Sequence, residues 1–225
     1  MTLSPAEVAT HVTALKQRLD AATNTTPHDA LALRLEQQYA ADVGVLACFF
    51  LNYIVLAPGQ AVALAANEPH AYVAGQCVEC MATSDNVVRA GLTPKLRDVE
   101  TLCSMLTYSQ QPPLIMSGAP QQSGGVVTTY APGFDEFCVD CFTIHAGGEM
   151  VAVLPPSPGP SVVLITDGNA ILAATQEQTA QERQLDVASG TAVFVLPGHA
   201  LRVRPAPEKG AVSGVRARVS DSVFA

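Results

Sequence analysis

The sequence predicts a mainly β protein whose C-terminal half is an antiparallel jelly roll and whose first 43 residues form a helical hairpin. Two observations lead there. From residue 126 onward, short apolar runs alternate with Gly-bearing turns at the spacing of an antiparallel sandwich or jelly roll. Before residue 44 the apolar residues instead recur every three or four positions, behind clear N-terminal caps.

The elements follow in order. Ser4-Pro5-Ala6-Glu7 supplies an N-cap, a proline at the first helical position and a capping-box acid, and Val8, Val12, Leu15 and Leu19 make one apolar stripe. A second helix starts near Thr26-Pro27, carries Leu31, Leu35 and Tyr39 on one face and stops by Gly44. From Val45 the runs become short and rich in Val, Leu, Phe and Tyr between Pro58-Gly59, Asn67-Glu68-Pro69 and Ala74-Gly75, which predicts strands. Leu96 to Tyr108 returns to helical spacing. Residues 109–125 are rich in Pro, Gly, Ser and Gln and read as a linker.

Beyond it, strands are expected at Val126–Tyr130, Phe137–Ile144, Met150–Leu154, Ser161–Thr166, Asn169–Ala173, Ala192–Leu196 and Leu201–Arg204. Gly147-Gly148, Asp167-Gly168, Ser189-Gly190, Pro197-Gly198 and Lys209-Gly210 mark the turns. The expected divisions are 1–43, 44–108, 109–125 and 126–225.

Composition excludes whole classes. A net charge of −8 with only 14% charged residues lacks the basic stripes of a nucleic-acid binder. The longest apolar stretch, Val43 to Ala57, is broken by Asn52 and is shorter than a membrane span. The N-terminus lacks a secretory pattern, so a cytoplasmic location and reduced thiols are expected for the six cysteines.

Potential chemistry concentrates between Pro69 and Lys95. His70 precedes Tyr72 by two residues, so in an extended segment both face one side. Glu79 lies inside Cys77-x-x-Cys80, Asp85 follows Ser84, and Arg89 and Lys95 bracket Gly91-Leu92-Thr93-Pro94. Taken singly, each has a plain alternative: a turn histidine, a half-buried tyrosine, a turn-bracing aspartate, a surface lysine.

The run LNYIVLAPGQAVAL, then NEPHAYVAGQCVECMATSDNVVRAGLTPKLRD and VETLCSMLTY, resembles the type I mannose-6-phosphate isomerases, zinc enzymes of the cupin (jelly-roll) class. The resemblance implies an N-terminal remnant of a helical insertion, part of a catalytic cupin domain and a C-terminal jelly roll. It implies interconversion of mannose 6-phosphate and fructose 6-phosphate by proton transfer through a cis-enediol, feeding GDP-mannose synthesis. It makes His70 a zinc ligand, Tyr72 a substrate contact, Arg89 and Lys95 cations facing sugar phosphate or enediolate, and Glu79 and Asp85 acid-base candidates, with the choice of base left open.

The resemblance also sets an expectation of incompleteness. The family's Gln-x-His and Glu ligands lie before its helical insertion, and no Gln-x-His occurs here. One zinc ligand of four is expected, with weak metal binding, no isomerase activity for the chain alone, and association with a missing N-terminal half or with itself through open sheet edges. Tyr39 to Gly44 and Ala47 to Phe50 depart from the family's usual Tyr-Pro-Gly-Asp turn and Pro-rich approach, and neither is expected to touch the chemistry.

Three competing readings remain. Cys77, Cys80, Cys138 and Cys141 have the spacing of a four-thiolate zinc site, but both pairs look like strand interiors, where residues three apart face opposite ways. His199 ends a cupin-like strand and turn without an upstream Glu or His partner, and reads as a turn residue. The class-level alternative is a non-catalytic jelly-roll module that binds a sugar phosphate or a partner protein.

Overall fold

The computed structural model describes residues 3–84, 87–121, 126–145, 147, 150–176, 182–207 and 210–224. These divide into two compact units, each drawn from several stretches of chain. One comprises 1–57, 64–75 and 84–114, the other 58–63, 76–83 and 115–225.

The first unit is built on helices α1 (Pro5–Asp20), α2 (Pro27–Gln38) and α3 (Val43–Ala47). Both long helices begin as the sequence predicts. Ser4 and Thr26 accept from the backbone N–H groups of Glu7 and Asp29, whose carboxylates accept in return from the cap N–H groups. Each box satisfies donors that a helix start leaves unpaired. Val8, Val12, Leu19, Leu31, Ala32, Leu35 and Val45 then close a small core. Helix α4 (Val99–Met105) falls inside the expected helical stretch and is capped by Asp98, which accepts from Thr101 N–H at 3.0 Å.

Between α3 and α4 the sequence predicted several strands, and among the described residues only β1 (Ala61–Ala63) forms, paired with β2 (Leu114–Met116). Val45 itself sits in α3. The reason is pairing: a strand needs a neighbour for its N–H and C=O groups. Among the described residues, β2 alone stands beside this stretch. Its apolar side chains are correspondingly exposed, Phe50 at 87% and Val55 at 83%.

The second unit carries the jelly roll. β3 (Ala119–Pro120), β4 (Val127–Tyr130), β5 (Cys138–Ile144), β6 (Ala152–Leu154), β7 (Ser161–Asp167) and β8 (Asn169–Gln176) are followed by β9 (Glu182–Ala188), β10 (Ala192–Val195), β11 (His199–Pro205) and β12 (Val212–Arg218). They form two antiparallel sheets, ordered β10-β7-β12-β5-β4-β3 and β6-β11-β8-β9. Residues alternate between faces, and the inward set, including Val127, Phe142, Ile144, Leu154, Val163, Ile165, Leu172, Leu201, Val203 and Val212, fills one shared core. The chain is mainly β.

Seven strands lie where apolar runs predicted them. β9 and β12 were not foreseen. β9 is a polar edge strand, with Val187 its single buried residue, and β12 interrupts its apolar pattern with Gly214, Arg216 and Arg218. Short strands β2 and β3 also fall inside the expected linker, whose residues 122–125 lie outside the described residues, as do Gly148 and Lys209 of the expected turns. No described helix is long and apolar enough to cross a membrane.

Candidate functional site

The predicted site residues divide between the two units. His70, Tyr72, Arg89 and Lys95 belong to the helical unit, Glu79 belongs to the jelly-roll unit, and Asp85 lies outside the described residues.

His70 and Tyr72 stand side by side in irregular chain, ring centroids 5.7 Å apart and edge to face. The His70 Nδ1 lies 2.9 Å from the Glu68 carbonyl. A carbonyl only accepts, so Nδ1 is the donor in this contact, and in the neutral imidazole that arrangement leaves the Nε2 lone pair available to a metal. The ring is exposed. One residue beyond Tyr72, the stretch is tied to the helices: Arg34 Nη2 donates to the Val73 carbonyl at 3.2 Å, and the Val73 side chain packs on the helical core.

The loop carrying Arg89 and Lys95 is fastened to the same core from α3. Asp42 caps α3 and its Oδ1 accepts from Gly44 N–H at 2.7 Å and from Leu92 N–H at 2.9 Å. Arg97 Nη1 approaches the other carboxylate oxygen at 3.9 Å. Leu92 turns the loop at φ +54° and packs its side chain on the helical core. Arg89 is half-buried three residues before this anchor, and Lys95 is exposed three residues after it. The Lys95 N–H donates to Thr93 Oγ1 at 3.2 Å, which tightens the turn.

Asp42 ties the 39–44 stretch to the loop that carries Arg89 and Lys95. Sequence reasoning passed over it, although Asp-x-Gly before an apolar run signals an Asx-type cap. What no local pattern reveals is the contact fifty residues away.

A zinc ion would need more than His70. The imidazole fits one ligand position, but among the described residues no group of three or more His, Cys, Asp or Glu side chains could hold a metal. A catalytic zinc takes three protein ligands.

The cysteine pairs behave as separate thiols. Cys138 is buried on the inner face of β5 and Cys141 lies on the opposite face, as residues three apart on a strand must. Cys77 and Cys80, expected in a strand, lie in irregular chain instead. Burial pushes the Cys80, Cys138 and Cys141 thiols above the usual thiol range, which disfavours the thiolate form a metal requires. His199 shares the local geometry of His70, with Nδ1 3.0 Å from the Pro197 carbonyl. That contact alone therefore does not distinguish a ligand from a turn residue.

A further polar cluster escaped the sequence reading. Inside the jelly roll, the Asp140 carboxylate meets Arg216 at 2.6 Å and Arg218 at 3.2 Å and accepts from the Thr129 hydroxyl. Arg216 also donates to the Pro155 carbonyl, and Arg218 to Asp221. The pairing is set by the β5–β12 register, Arg216 opposite Asp140. It neutralises charge internally and offers no vacant cation.

No family model matches the chain. It is 50% identical over 175 residues to mannose-6-phosphate isomerase 2 of Arabidopsis thaliana, covering 76% of this chain and 39% of that protein. Similarity extends to mannose-6-phosphate isomerase of Cryptococcus neoformans, 51% identical over 63% of this chain and 33% of that one. It reaches a probable mannose-6-phosphate isomerase of Dictyostelium discoideum, 46% identical over 74% of this chain and 36% of that one. The chain thus spans less than two fifths of the length of these curated relatives. Among solved structures, a cupin-family protein with a double-stranded β-helix from Methanocaldococcus jannaschii matches at TM-score 0.32 and 11% identity, over 41% of this chain and 79% of that one.

Proposed function

We propose, from the premise that this chain belongs to the mannose-6-phosphate isomerase family, that it furnishes one wall of a site interconverting mannose 6-phosphate and fructose 6-phosphate. The supporting observation is the 50% identity to the Arabidopsis protein. A match covering 76% of a 225-residue chain takes in residues 70–95 wherever it begins.

Aldose–ketose interconversion moves a proton between adjacent carbons through an enediol, so it needs an acid-base group and positive charge beside the developing oxyanion. In this proposal the Arg89 guanidinium supplies that charge, permanently and with paired donors, and Lys95 adds a second cation at the phosphate or the sugar oxygens. Tyr72 contacts sugar hydroxyls. Glu79 and Asp85 are the carboxylates proposed for proton transfer. His70 is proposed as one ligand of a zinc whose remaining ligands come from outside the described residues, and zinc would polarise sugar oxygens. The reaction would supply mannose 6-phosphate for GDP-mannose synthesis in the cytoplasm.

The test assays conversion of mannose 6-phosphate by the purified chain, alone and mixed with the segment that precedes the matched region in a full-length relative. The expected outcome is turnover in the mixture, lowered roughly 100-fold but still measurable in Arg89→Ala, and little in the chain alone. Turnover with stoichiometric zinc in the chain alone would overturn the one-wall assignment. Absence of turnover in both preparations, with sugar-phosphate binding retained, would replace the enzyme by a binding module.

A further inference from the structure

We infer that Asp42 is a positioning residue for the loop that carries Arg89 and Lys95, and this inference rests on the isomerase reading above. Asp42 is part of the helical unit and 13% exposed at its side chain, and it acts through the loop, not on the substrate. Its role follows from where one oxygen sits. Oδ1 accepts at once from the first turn of α3, at Gly44, and from the midpoint of the loop, at Leu92. Both bonds are charge-assisted and part-buried, which makes them stronger than ordinary amide contacts.

The packing around that oxygen is close. A Cβ on Gly91 would lie 3.0 Å from Asp42 Oδ1 and equally close to the Gly44 backbone, while a Cβ on Gly44 would meet Leu92 Cγ at 2.6 Å. Gly91 presses on the Gly44 backbone and Gly44 on the Leu92 side chain, so an added methyl at either position would force its neighbours to shift. Leu92 holds a left-handed conformation, φ +54°, that a leucine adopts only when its surroundings compel it. Here the compulsion is the Asp42 bond at its N–H and the helical core beneath its side chain.

Arg89 and Lys95 flank this point symmetrically in sequence, so releasing Leu92 frees both cations together. A catalytic cation must be held to within about half an ångström of its working position. A displacement of about 1 Å costs on the order of 100-fold in rate.

The experiment compares Asp42→Ala, Asp42→Asn and Arg89→Ala, singly and as the Asp42→Ala/Arg89→Ala pair, in the preparation that turns over mannose 6-phosphate. Amide exchange is read at Leu92 and, as a folding control, along α1 and α2. Asp42→Ala is expected to accelerate Leu92 exchange at least ~10-fold with α1 and α2 unchanged, and to lower kcat by roughly 10–100-fold. Asp42→Asn keeps the acceptor oxygen and is expected to restore kcat to within ~3-fold of the parent. In the pair, the loss is expected to exceed that of Arg89→Ala alone only by the share carried through Lys95, well short of the product of the two single losses, because Asp42 acts largely through Arg89.

Losses that multiply in the pair, or no rescue by asparagine, would assign Asp42 a general folding role and overturn the inference. So would unchanged Leu92 exchange in Asp42→Ala. If no preparation turns over the sugar phosphate, the isomerase reading fails, and the exchange measurement decides the anchor independently.

Discussion

Arg216 and Asp140 meet across β12 and β5 with both side chains 2% exposed, the guanidinium Nη2 2.6 Å from the carboxylate. Asp140 answers two arginines and a threonine hydroxyl, so its loss strands more than the loss of Arg216 would. Asp140→Ala is expected to destabilise the jelly roll by about 3–5 kcal/mol, the range for breaking one side of a buried pair. Arg216→Met should cost less, because Asp140 keeps Arg218. Urea unfolding of the two variants checks the order, and equal losses would contradict it.

The capping boxes give the helices an acid limit. Hydrogen bonds from Ser4, Thr26 and Thr101 hold the Glu7, Asp29 and Asp98 carboxyls below the ordinary carboxylate range. A lowered native pKa adds stability that is fully present above the unfolded value and fades as pH falls through the native one. Thermal unfolding followed by far-ultraviolet circular dichroism should therefore show a falling Tm below about pH 4. Glu7→Gln and Asp29→Asn should flatten that dependence.

These same features show what was legible beforehand. The caps could be read because Ser-Pro-x-Glu and Thr-Pro-x-Asp act within three residues, and most strands because Val-rich runs alternate with glycine turns. The Asp140–Arg216 pair could not: it joins positions 76 apart, and the register that pairs them emerges only when the sheet forms. Asp42 was hidden for a similar reason, since its second partner lies 50 residues on. The stretch from 48 to 80 misled because its composition favours strands, whereas a strand also requires a neighbour.

Two glycines with the same backbone sign separate strain from crowding. Gly190 has φ +86° and open space about its Cβ position, whereas Gly168 has φ +79° and a Cβ there would strike the Ala211 carbonyl. Gly190→Ala should cost about 1 kcal/mol for the left-handed conformation alone. Gly168→Ala should cost at least about twice that, as strain and overlap combine. Equilibrium unfolding of both variants is the check, and matching values would show that the β7–β8 turn yields freely.

The two histidines that bond a carbonyl two residues back provide a paired test of metal binding. His70→Ala should reduce zinc retained after dialysis in the mixed preparation, while His199→Ala leaves it unchanged, with metal measured by mass spectrometry. Both variants should unfold as the parent does, since His70 is exposed and His199 lies at a strand end. A loss confined to His199→Ala would move the metal site to the jelly-roll unit.

The chain passes back and forth between its two compact units before settling into the second, with 58–63 and 76–83 given to the jelly-roll unit and 64–75 and 84–114 to the helical one. Tyr130 fixes one of these crossings by donating to the Gly59 carbonyl at 2.6 Å. Neither unit is therefore a contiguous module that recombination can lift out. Any single cut between residues 58 and 114 leaves at least one unit short of a piece, so the two must be inherited, expressed and transplanted as one cassette.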